Sequence, residues 1–132
     1  MILEPRRIEL NLFGFADLAA ARNAIPSSVS TDFYVRGDPL PSGRGTYSEN
    51  ALCAYKEGVL ADAYEERVEQ LFQAFGGEPK VLTVLDVVAA KQAWIRVVAP
   101  VRTSSRSEEG VFSSEFIQRL ASMRLGLEFW YR

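Results

Sequence analysis

Hydrophobic and polar residues alternate over residues 6–15, with Ile8, Leu10 and Leu12 on one side and Glu9 and Asn11 on the other. A period of two marks a half-buried strand. The alternation returns over 29–36, where Val29, Thr31, Phe33 and Val35 oppose Ser30, Asp32, Tyr34 and Arg36, and again over 50–56. Residues 16–23 between the first two strands are alanine-rich and predict a short helix. It stops at Ile25-Pro26, because a residue that precedes proline is pushed out of the helical region.

Over 61–75 the spacing changes. Leu60, Tyr64, Val68, Leu71, Phe72 and Phe75 recur at helical intervals, and Gly76-Gly77 supplies a permissive end. After Pro79, residues 80–89 carry apolar side chains on both faces, which predicts a central strand. Ala90-Lys91-Gln92 then predicts a short hairpin into another strand over 93–101. Residues 102–110 have no periodicity and read as a solvated loop. Ser113 or Ser114 caps a predicted helix over 114–124, and the aromatic-rich segment 125–131 closes the chain as a strand.

The order β-α-β-β-α-β-β-α-β predicts an α+β fold. The expected architecture is one globular domain over 1–132, a single mixed or antiparallel sheet of about six strands with helices packed on it, partly ferredoxin-like.

Composition narrows the chemistry. With 132 residues, of which 48% are hydrophobic, the chain buries enough surface to fold without disulfide or metal staples. Cys53 is the sole cysteine and there is no histidine. The commonest general base and the commonest zinc ligand are therefore missing, along with every triad that relies on histidine. Neither a phosphate-binding glycine loop nor a calcium-loop spacing is present. No catalytic residue, metal or cofactor is assigned, and a non-enzyme is expected. The start has no signal-peptide pattern and no apolar run reaches a membrane span, so a cytoplasmic location without membrane contact is expected. A pI near 5.2 and the lack of a dense Lys/Arg stripe argue against nucleic acid.

Charge is distributed unevenly. Residues 57–78 hold six acids and one base, a net of −5, which leaves +3 for the rest of a chain whose total is −2. The exposed side of the 61–75 helix thus predicts a docking surface made by Asp62, Glu65, Glu66 and Glu69, facing a partner protein with a basic surface. An alternative site lies in the glycine- and proline-rich loop, where Arg36, Asp38, Arg44 and Tyr47 suit a small anionic ligand, in a sensor or an enzyme without histidine. A third expectation is self-association through the strand at 127–131, should it lie at a sheet edge.

The pieces Ile25-Pro26, Arg36-Gly37-Asp38, the helix at 61–75, Phe112-Ser113-Ser114-Glu115 and Leu120-Ala121 through to Tyr131 together resemble an uncharacterised family of small bacterial domains. Tyr47-Ser48 occupies the place of that family's usual tryptophan-serine pair. The resemblance implies a small stand-alone bacterial protein, with neutralising a toxin by occluding its active surface, as an immunity protein does, as the expected role, and it carries over no catalytic residues.

Overall fold

The computed structural model describes residues 6–59, 64–99 and 112–131. Its elements are β1 (Arg6–Phe15), α1 (Leu18–Ala24), β2 (Ser30–Tyr34), β3 (Asn50–Val59), α2 (Tyr64–Phe75), α3 (Glu78–Val88), β4 (Gln92–Ala99), α4 (Ser114–Ser122) and β5 (Gly126–Tyr131). The strands form one mixed sheet in the order β2-β3-β1-β4-β5, giving the expected α+β class. β1 is central and antiparallel to both β3 and β4, and β2 is antiparallel to β3. β4 and β5 are parallel, so they need a crossover, which α4 supplies. These two strands are direct neighbours, without the inserted strand that a split βαβ has.

One predicted element changes type. Residues 80–89, read as a central strand, form helix α3 as far as Val88 with Ala89 as its cap, and among the described residues the sheet has five strands rather than about six. Val81, Val84 and Val88 are buried at intervals of three and four, while Leu82 and Val87 are 39% and 50% exposed. The valines therefore form a helical stripe within a run too apolar to show its period. Pro79 sits in the first turn, where its missing N–H costs nothing. Ala89, left-handed at φ 52°, ends the helix. Ala90-Lys91-Gln92 is accordingly a helix-to-strand connection and not a hairpin.

Two of the helices start on side-chain caps, worth about 1 kcal/mol each. Asp17 accepts from the Ala20 N–H at 2.9 Å, and Ser113, not Ser114, accepts from that of Phe116 at 3.2 Å. β3 runs three residues beyond its predicted end, to Val59. The expectations placed on residues 61–63, Asp62 among them, and on the loop at 102–110 lie outside the described residues.

The sheet has two unlike faces. Ile8, Leu10 and Leu12 of β1, Leu52 and Ala54 of β3, and Ile95 and Val97 of β4 are buried with residues from all four helices, including Ala21, Phe72, Val81 and Leu120. Full burial of such side chains stabilises by about 1.5–3 kcal/mol each. The helices thus share one face of the sheet. Strand pleating sends Glu9, Asn11, Cys53, Trp94 and Arg96 to the other.

Candidate functional site

The face without helices is built in cross-strand rows. Cα pairing sets Ser30, Tyr55, Glu9, Arg96 and Glu128 in one row across all five strands, and Asp32, Cys53, Asn11 and Trp94 in the next. At the centre is Glu9, only 3% exposed. Its carboxylate accepts from Arg7 Nε at 2.6 Å, Arg96 Nη1 at 3.2 Å and Asn11 Nδ2 at 3.3 Å. Arg7 Nη1 continues to Glu57 at 2.9 Å, and Arg96 Nε to Glu128 at 3.1 Å. The result is an ion ladder, Glu57-Arg7-Glu9-Arg96-Glu128, crossing four strands.

Aromatic rings flank this ladder. The Arg7 guanidinium lies 3.7 Å over the Tyr55 ring and that of Arg96 lies 3.8 Å over Trp130, both in cation–π contact. Tyr34 and Tyr47 stack with centroids 5.0 Å apart. Together with Trp94 they wall an open cavity of about 360 Å³ floored by Glu9, Asn11 and Cys53. Among the described residues the buried Trp94 Nε1 has no hydrogen-bond partner, although an indole N–H sealed from water ordinarily has one.

Electrostatics hold these groups in fixed protonation states. Burial, aided by the Glu9 charge, pushes the Cys53 thiol up to about 12, so it stays a thiol and accepts a long 3.8 Å contact from Arg7 Nη2. Burial works against the Arg7 guanidinium, but its bonds to Glu9, Cys53 and Glu57 prevail and raise it. Burial and the nearby Asp32 raise the Tyr34 phenol. This face thus offers fixed charges and rings around a thiol that keeps its proton.

The residues singled out from sequence are dispersed. Of the acidic set, Glu69 is bound by Arg119 Nη1, whose Nε also holds Glu78, tying α4 to α2 and α3. Glu65 accepts from the Ser113 backbone N–H before α4. Glu66 is exposed, and Asp62 lies outside the described residues. Two of the three described carboxylates therefore serve internal contacts. In the loop, Asp38 accepts from the Val35 N–H at 3.4 Å. Arg36 lines a second cavity with Glu49 and Lys91, whereas Tyr47 lines the first. Arg44 is exposed. The four do not converge on one described cavity.

The strands' alternation marks the core, and the site lies on their polar side. The available signal was charge and aromatic residues two apart: Arg7 with Glu9, Trp94 with Arg96, Glu128 with Trp130. Among the described residues no group of His, Cys, Asp and Glu is placed to hold a metal ion, and no helix is long and apolar enough to cross a membrane. Comparison with protein-family models, curated proteins and solved structures finds no match for the chain.

Proposed function

We propose that the chain is a non-catalytic protein-binding module that docks its partner across the open face of the sheet, in the manner of an immunity protein seated on the toxin it blocks. The observation that carries this reading is the cavity walled by Tyr34, Tyr47 and Trp94 beside the Glu9 ladder. Tryptophan, tyrosine and arginine dominate binding hot spots because they offer large contact areas with polar handles. Here the arginines are already locked by carboxylates, so docking freezes little side-chain freedom. The face holds Arg7 and Arg96 against Glu9, Asp32, Glu57 and Glu128, an excess of two carboxylates that favours a partner with a basic surface. Helix α2 is the poorer docking surface, since Glu65 and Glu69 are engaged within the molecule.

Affinity capture from native lysate tests the proposal with the wild type, a Tyr34→Ala/Tyr47→Ala variant and a Glu66→Lys variant, each checked for folding by circular dichroism. The expected result is one partner recovered by the wild type and Glu66→Lys but lost with the tyrosine pair. Recovery by the tyrosine variant and loss with Glu66→Lys would return the docking surface to α2.

A further inference from the structure

The open face explains neither the outermost strand nor the helix beside it. β5 is the last strand of the sheet and pairs with β4 on one side only among the described residues. Exposed edges are ordinarily protected by lysine, proline, a bulge or an unpaired charge. Residues 126–130 of β5 read Gly-Leu-Glu-Phe-Trp, without lysine or proline, and the β4–β5 register runs without a bulge. Its one charge, Glu128, is engaged by Arg96 of the same chain. The opposite edge, β2, carries the exposed Asp32, which has no ion pair among the described residues.

Both flanks of this edge are apolar. On the open side Trp130 is 45% exposed. On the helical side the geometry of α4 places a second apolar residue. Successive residues advance by about 100° around a helix. Phe116 and Leu120 point into the core, and Arg119 leans to one side, where it reaches Glu69 of α2. α2 covers β1 and β3, so that side of α4 looks toward the middle of the sheet. Ile117 projects from the opposite side of α4, toward the β5 edge, and is 44% exposed.

We infer that the β5 edge is an interface with a second copy of the chain, the two β5 strands pairing antiparallel about a twofold axis. A twofold contact requires the strand to complement itself when reversed. Centring the pair on Glu128 sets two carboxylates face to face. Centring it on Phe129 sets Phe129 against its own copy and Glu128 against the second copy's Trp130, a ring already stacked on Arg96. The latter register joins two five-stranded sheets into one continuous sheet. The Ile117 side chains close the helical side, and the cavity walled by Tyr34 and Tyr47 stays open in both copies.

Sedimentation velocity over a concentration series, combined with amide hydrogen exchange, tests the interface on the full chain. The wild type is expected to approach twice the 14.7 kDa chain mass, with β5 amides gaining protection as the dimer forms. An Ile117→Lys variant, altered only at an exposed position of the helical layer, is expected to keep its circular dichroism and to sediment as a monomer at concentrations where the wild type is dimeric. The inference is overturned by a monomeric wild type at millimolar concentration. A dimer that survives the lysine, or one whose β5 amides gain no protection, overturns it equally. Because Ile117→Lys alters no residue of the open face, partner capture by the monomeric variant keeps this result separate from the docking reading.

Discussion

Glu9 and Arg96 stand directly opposite each other on β1 and β4, and their side chains meet at 3.2 Å on the face turned away from the described helices. Cross-strand partners share a face, so the backbone register alone dictates this contact. The same Glu9 carboxylate takes Arg7 at 2.6 Å, which makes one buried acid the link between two arginines.

Removing that acid leaves both guanidinium groups without their shared counter-charge. Glu9→Ala is expected to destabilise the fold by about 3 kcal/mol, the usual cost of breaking a buried ion pair from one side. Glu57→Ala, at the ladder's exposed end with its side chain 66% accessible, is expected to cost at most about 0.5 kcal/mol. Urea unfolding of the two variants checks the contrast, and equal losses would mean the ladder is not organised around Glu9.

The Cys53 thiol makes a prediction in pH. Its folded pKa, about 12 against an ordinary 9.0, means the folded state holds the proton more tightly than the unfolded state. The associated stability is fully present below pH 9 and drains away as pH rises toward 12. Cys53→Ala removes this one contribution. The urea midpoint of the variant is expected to fall less steeply than that of the wild type between pH 9 and 12, and parallel profiles would contradict the assignment.

Arg119 couples α4 to the rest of the helical layer through Glu69 and Glu78. All three side chains are about one-third exposed, so solvent weakens each pair. A double-mutant cycle on Arg119 and Glu69, run by urea unfolding, is expected to return a coupling of about 0.5 kcal/mol. A coupling of zero would release Glu69 for contact with a partner.

Much of the fold was legible because β1, β2, β3 and α2 announce themselves by clean periods of two and of three to four. The run from Val81 to Val88 was not legible, because Leu82 and Val87 place apolar residues on the outer side of α3 while Leu85 packs with the core, so the run hides its helical period. The site was less accessible for a different reason. Local sequence showed Glu65, Glu66 and Glu69 as neighbours on one helix, but Arg119 and Ser113, which engage two of them, lie 50 and 48 positions along the chain. Likewise Arg7, Glu9 and Arg96 become a unit only through strand pairing across 87 residues.

Gly14 sits at the irregularity in β1, where the pairing with β3 shifts between Phe13 and Phe15. Its φ is +86°, and a Cβ there would come within 2.9 Å of the Lys91 side chain, whose backbone N–H donates to the Gly14 carbonyl at 3.1 Å. Gly14→Ala combines left-handed strain with a steric clash and is expected to cost about 2 kcal/mol in urea unfolding. An unchanged midpoint would show that this turn relaxes freely.

Docking of a partner on the open face is read by amide hydrogen exchange of the chain with and without the protein it captures from lysate. Added protection is expected at β2 and in the loop from Gly37 to Tyr47, which borders the cavity, with α2 exchanging as it does in the free protein. Protection confined to α2 between Tyr64 and Phe75, with that loop unaffected, would contradict the account.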